Sequence, residues 1–243
     1  MDSHRLLVHN LYVRLFSGWG SGMPRIILES PSAEFNGDDN CLSGADFIHV
    51  VGNLFTAIGS RWTFFGEGRS IILEQEVQVF FEANIVRTFS TASNGEPRKG
   101  EDFTTITAHA LQISDSSQGF LLNFSQEVTI LANDFKLTCD ALEVEALYVD
   151  QAIFLDHGTA GEVLRSLRAE GNVHVEEPVR AIHADVMEFF PEEGVLLLSG
   201  NVSIAEDGMT FYGQKIFIRR GDKHVLVDSS AVVRRAIACD YDE

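Results

Sequence analysis

Apolar and polar positions alternate along most of this chain, and the alternation comes in copies of one unit. Gly200-Asn201-Val202-Ser203-Ile204 is followed, nine residues after its Val, by Phe211-x-Gly213-x-x-Ile216-x-Ile218. At the same offset, Gly171-Asn172-Val173-His174-Val175 leads to Ile182-x-Ala184-x-x-Met187-x-Phe189. Gln126-Glu127-Val128-Thr129-Ile130 leads likewise to Leu137-x-Cys139-x-x-Leu142-x-Val144. Strand side chains point alternately to two faces, so Val202 shares a face with Ile204, Val173 with Val175, Val128 with Ile130 and Val77 with Val79. The second half of each unit carries one extra residue between its apolar pairs, the phase change of a β-bulge. Further copies are Ile106-x-Ala108-x-x-Leu111-x-Ile113 and, with a poorer match, Leu42-x-Gly44-x-x-Phe47-x-His49. Each unit reads as strand, turn, strand, with the Gly-Asn phrase opening a hairpin.

Polar, turn-prone runs separate the strands: 36–40, 114–119, 191–194 and 206–208. The longest polar break is 91–103, which reads as an exposed loop. Residues 160–170 have helical propensity, yet they feed directly into Gly171-Asn172-Val173 and are read as strand. Repeats of this size cannot bury an apolar face alone, so copies must stack. The expected fold is all-β: an elongated β-jellyroll of repeated antiparallel hairpins, forming a slender, partly open sheet sandwich. Residues 1–27 are set apart as a leader and a flexible Gly/Ser linker. The jellyroll is placed at 28–238, with 28–103 and 104–238 as candidate tandem halves.

Composition narrows the function classes. A formal charge of −18 and a pI near 4.7 disfavour a nucleic-acid backbone or an anionic membrane surface as partner. No apolar run reaches the length of a membrane span. The first 16 residues are apolar but interrupted by His4, Arg5, His9, Asn10 and Arg14, unlike a secretory signal. Export would then need a segment upstream of this start or removed from it. Cys41, Cys139 and Cys239 make no disulfide framework; Cys139 reads as a buried small group, and a Cys41–Cys239 bridge stays open.

Catalytic chemistry is not legible. The histidines are dispersed, no HxxxH or CxxC pair offers metal spacing, and no GxSxG elbow occurs. Adjacent acids such as Glu176-Glu177 and Glu192-Glu193 read as solvated turn charges. The chain is therefore expected not to be an enzyme and to need no cofactor or metal. What remains is the inward face: Val77 and Val79; Ile106 and Leu111; Val128 and Ile130; Leu137 and Leu142; Val173 and Val175; Ile182 and Met187; Val202 and Ile204; Phe211 and Ile216. These residues line either a packed core or a groove for apolar ligands, and periodicity alone does not separate the two.

The stretch 168–220 bears on that choice. Ala169–Val175, Ile182–Asp185, Val195–Ile204 and Phe211–Gly213 carry A-x-G-N-V-x-V, apolar-x-A-D, an apolar run into G-N-V-x-I, and apolar-x-G. In these marks the chain resembles the OstA/LptA/LptC family of lipopolysaccharide transport proteins, with weaker likeness over 104–150 and 28–90. The resemblance implies a periplasmic jellyroll that holds lipid A acyl chains inside and docks edge to edge with other bridge proteins or with itself. Lipopolysaccharide or a related glycolipid is the implied ligand, and the apolar residues named above its lining. An inner-membrane tether through a segment outside this chain is compatible with the family; bridge and anchored roles both stay open. Two other classes remain: a structural β-solenoid or assembly protein with a dry core and no lipid, and a carbohydrate-active or adhesion domain using the outer face.

Overall fold

The computed structural model describes residues 5–16, 24–52, 54–82, 85, 103–116, 118–148, 164–219, 225–227 and 232–235. Its first half contains β1 (Arg5–Leu15), β2 (Ile26–Asn36), β3 (Cys41–Gly44), β4 (Ile48–Val51), β5 (Phe55–Phe65), β6 (Ser70–Phe81), β7 (Thr104–Ala108) and β8 (Ala110–Asp115). The second half contains β9 (Gly119–Ala132), β10 (Phe135–Leu147), β11 (Leu164–Glu176), β12 (Arg180–Phe190), β13 (Val195–Glu206), β14 (Met209–Arg219), β15 (Val225–Val227) and β16 (Val232–Arg235). All pair antiparallel in one sheet, in order of sequence, and no long-range crossover occurs along the path. The all-β jellyroll expectation holds. β6 pairs with both β7 and β8, so the sheet runs without a break across residues 103 and 104.

The sheet is creased along its middle and doubled over itself. Two register-aligned apolar rows lie on its inner face, one on each side of the crease. One row runs Leu42, Phe64, Ile71, Ile113, Leu122, Val144, Leu167, Phe189 and Leu196. The other runs Val50, Ala57, Val79, Ile106, Ile130, Leu137, Val175, Ile182 and Ile204. Both rows belong to one continuous apolar core. At two places a long strand is cut in two: β3 and β4 share the work of one strand between β2 and β5, and β7 and β8 do so between β6 and β9.

The Gly-Asn phrase makes this crease. Gly171 and Asn172 have φ of 74° and 48°, and Gly200 and Asn201 have φ of 71° and 47°. In each case two left-handed residues on one strand oppose a single residue on the next, Asp185 for Gly171-Asn172 and Gln214 for Gly200-Asn201. One residue more than the neighbouring strand bends β11 and β13 here, and the apolar side chains on both sides of the bend stay inward. The phrase therefore lies in mid-strand and not at a hairpin turn, which corrects the sequence expectation. Asn172 Nδ2 donates to Asp140 at 2.8 Å and Asn201 Nδ2 donates to Asp185 at 2.9 Å, tying each bend to its neighbour.

β9 makes the same bend with Gln126 and Glu127, at φ of 67° and 54°, and without glycine. Left-handed backbone costs a residue bearing Cβ about 1–2 kcal/mol. Glycine removes that cost but gives back about 0.4–1 kcal/mol of chain entropy. Gln126 is exposed, so Gln126→Gly is expected to stabilise by up to about 1 kcal/mol, read as a higher urea midpoint at unchanged slope.

Two further readings change. Arg5–Leu15, set apart as leader, pairs along its length with β2 and packs Val8, Leu11, Val13 and Leu15 against the core. The Gly/Ser linker at 17–23 lies outside the described residues, as do most of the 91–103 loop, residues 160–163 and Cys239. In the 42–49 copy the phase slips by one: Ile48 and Val50 are buried, while Phe47 and His49 face out. Residues 164–170 are strand, as read from their run into Gly171.

Candidate functional site

The structure gathers the inward residues named from sequence on one interior. Val77, Val79, Ile106, Leu111, Val128, Ile130, Leu137, Leu142, Val173, Val175, Ile182, Met187, Val202, Ile204 and Ile216 are all buried, none more than 3% exposed. Phe211 is partly buried at the β14 end and packs against the same core. The interior is closed in this conformation, with its lining side chains filling the space between the layers.

Its chemistry is almost wholly apolar. Among the described residues, the buried polar or charged ones are Ser30, Ser60, Thr104 and Arg180. Ser30 and Ser60 sit at the crease, and Thr104 and Arg180 at the rim where β7 and β12 begin. Between those borders the indole Nε1 of Trp62 is a buried donor with no partner among the described residues, and the aliphatic and Phe side chains around it offer a ligand no hydrogen bond. Cys139, at the crease, behaves as a small apolar group: burial, reinforced by the Asp140 charge, pushes its thiol up to about 12. Thiolate chemistry is closed to it at neutral pH.

Charge enters at the rims. Glu177 and Arg180 close the β11–β12 turn with an ion pair of 2.8 Å whose side chains are 3% and 4% exposed. The second oxygen of Glu177, Oε1, finds no hydrogen-bond partner among the described residues. Burial raises the Glu177 carboxyl above its ordinary value, against the pull of Arg180. A raised carboxyl pKa means that the folded state holds the proton more tightly than the unfolded chain. This contribution to stability is complete below the ordinary value of 4.5 and is lost as pH rises through the raised one. Denaturant titrations from about pH 4 to 7 are expected to show a downward slope from this group, which Glu177→Gln removes.

Elsewhere along the mouth, two rims meet. Arg25, just before β2, carries its guanidinium 3.8 Å over the Tyr148 ring and donates from Nη1 to the Ser116 carbonyl at 3.1 Å. Asp115, its side chain 2% exposed, lies 3.5 Å from Arg25 and 3.4 Å from Arg69. The Tyr148 hydroxyl donates to Asp115 and lies 3.0 Å from the Ser116 carbonyl. Burial and that carboxylate push the phenol well above its ordinary range. Beneath them Phe55 meets Phe120 edge-on at 5.2 Å, and Phe120 meets Tyr148 at 4.9 Å.

Sequence reasoning missed this cluster because its members, from Arg25 to Tyr148, lie far apart along the chain at polar connections. It also treated the histidines as scattered. His174 and His183 are register partners on the outer face, stacked with centroids 4.2 Å apart, and Glu176 holds His174 Nε2 at 2.9 Å. Burial, then the neighbouring His174, lowers the His183 pKa. Their nine-residue spacing is the hairpin offset, so register could have paired them. No group of three His, Cys, Asp or Glu able to hold a metal occurs among the described residues, and no helix there is long and apolar enough to cross a membrane.

No family model matches the chain, and no curated protein matches it. Among solved structures, it is similar to LptH of Pseudomonas aeruginosa, described as the LptA-homologous periplasmic component of the lipopolysaccharide transport device. Identity is 14%, the match covers 54% of this chain and 93% of that one, and the TM-score is 0.42.

Proposed function

We propose that this chain is a periplasmic carrier that takes the acyl chains of lipopolysaccharide, or of a related glycolipid, between its two layers and passes them along a protein bridge. The observation that carries this reading is the pair of apolar rows, unbroken from β3 to β13 and made of apolar side chains throughout. The residues of 168–220 that resemble the OstA/LptA/LptC family belong to the same rows. A saturated chain of about a dozen carbons gains on the order of 9 kcal/mol by burial, at about 0.8 kcal/mol per methylene, before the cost of parting the layers. The crease permits that parting because, among the described residues, no strand pairing joins the two rims.

Docking follows from the first edge. Among the described residues β1 pairs with β2 alone, so its other backbone edge is free, and Leu6, Leu7 and Tyr12 are exposed on it. An edge of this kind accepts a further strand, from a bridge protein or from a second copy.

One observation favours a different reading, a structural protein with a dry core: the interior is fully packed in the conformation described. Photo-crosslinking separates them. A photoreactive residue in place of Ile204 or Ile130 is expected to capture lipopolysaccharide, whereas one in place of the outward neighbour Ser203 is not. If interior probes in a folded protein capture no lipid, the dry-core reading stands and the carrier reading falls.

A further inference from the structure

We infer that the Arg25–Asp115–Tyr148 cluster is the lateral gate of the interior, and that Arg25 and Arg69 receive the anionic head group of an entering amphiphile. This rests on the carrier reading above. It adds the place of entry and the chemistry of the head group.

The placement comes first. A creased sheet can open only at the side away from the crease, where its rims approach each other. Arg25 belongs to one rim: its N–H donates to the Leu15 carbonyl at 2.7 Å in the connection between β1 and β2. Asp115, Ser116 and Tyr148 belong to the other, at the ends of β8 and β10. The bonds from Arg25 to Ser116 and Asp115 therefore cross the mouth. Phe55 and Phe120, touching edge-on behind them, come from the same two rims and close the apolar space.

The bonding is reversible in kind. A cation stacked on a phenol ring, beside a hydrogen bond to a carbonyl, gives up little on swinging into water, because water replaces both partners. Arg25 is already about a quarter exposed. Moving Phe55 from Phe120 exposes apolar surface, which an acyl chain would cover again. The polar latch thus resists opening when no ligand is present, and the aromatic pair resists it less once ligand arrives.

Charge gives the head-group chemistry. Two guanidiniums share the single buried carboxylate of Asp115, so the cluster carries a spare positive charge in a chain of net −18. Neither contact is close: 3.5 and 3.4 Å exceed the about 2.7–2.9 Å of a committed charge-assisted bond. Both arginines keep donors for an anion with more oxygens than a carboxylate, and a phosphate monoester fits. Apolar entrance and spare cation lie side by side, which is the order of parts in a phosphorylated amphiphile.

The test uses fluorescent lipid A carrying two phosphates and its phosphate-free counterpart, with uptake followed by stopped flow. Arg25→Cys and Ser116→Cys, in a chain with Cys41→Ser and Cys239→Ser, are joined by a reducible bismaleimide; Cys139 is buried and stays unreacted. Tethering is expected to slow uptake of both lipids at least tenfold, with recovery on reduction. Arg25→Ala is expected to speed entry of the phosphate-free lipid while weakening the bis-phosphorylated one about tenfold; Arg25→Lys keeps most of that preference. Unchanged uptake by the tethered protein, or equal weakening of both lipids, overturns the gate while leaving the carrier intact. Failure of the wild-type protein to take up either lipid overturns the carrier reading, and the gate with it.

Discussion

Replacing Gly171 and Gly200 together by alanine is expected to lower the unfolding free energy by roughly 4 kcal/mol, about 2 at each site. Two costs combine. Both positions have φ above 70°, where a Cβ is strained whatever space it finds. The space is also taken: an added Cβ would lie 2.3 Å from Asp140 Oδ2 at Gly171 and 2.3 Å from Asp185 Oδ2 at Gly200. The two strands are separated by β12, about 10 Å apart in total, so the losses should add. Adding Asp185→Ala to Gly200→Ala removes the carboxylate but keeps the Cβ of residue 185, 2.7 Å from the added one, and leaves the backbone strain, so it recovers only part of the loss. A double variant within about 1 kcal/mol of wild type by urea denaturation would mean that the crease does not depend on glycine.

Trp62→Ala should cost about 3–5 kcal/mol, because the ring is 2% exposed in the core and its removal leaves a cavity. Trp62→Phe should cost under about 1.5 kcal/mol. The indole Nε1 has no hydrogen-bond partner among the described residues, so losing it removes a desolvated donor along with some volume. The ring lies against Gly44, where an added Cβ would come within 2.6 Å of Nε1. Gly44→Ala should therefore be damaging beside the native indole. In a Trp62→Phe background, where the smaller ring leaves room, it should be nearly silent. A double-mutant cycle on the two positions measures this coupling. Additive losses would contradict this packing.

The inward face was legible in the sequence because burial imposes it residue by residue. Val173 and Val175 point in because the pleat leaves them no choice, and the shift to Met187 and Phe189 records the bend. What Gly171-Asn172 does was legible only as punctuation. A Gly-Asn pair suits a tight turn and a mid-strand bend equally, since both ask for φ above zero. The clue was the apolar phase on either side: Leu167 and Ala169 before, Val173 and Val175 after, both facing the core. β1 was misjudged because its His, Asn and Arg residues are those of a strand with one wet face, a pattern that resembles a broken apolar leader. The Phe47 slip has a local cause, since cutting one strand into β3 and β4 lets each choose its own phase. The rim cluster left no trace, because contact between turns distant in sequence has no period.

Among the described residues, pairing only between strands one or two apart in sequence also bears on how the chain reaches this state. Each hairpin can form from residues already at hand, and each finished hairpin offers a template to the next, so little loop entropy is spent at any step. Assembly can advance like a zip from the first strands as the chain is made. The same order keeps an unfinished protein adhesive at its growing end, with a bare strand and an uncovered apolar stripe renewed at every addition.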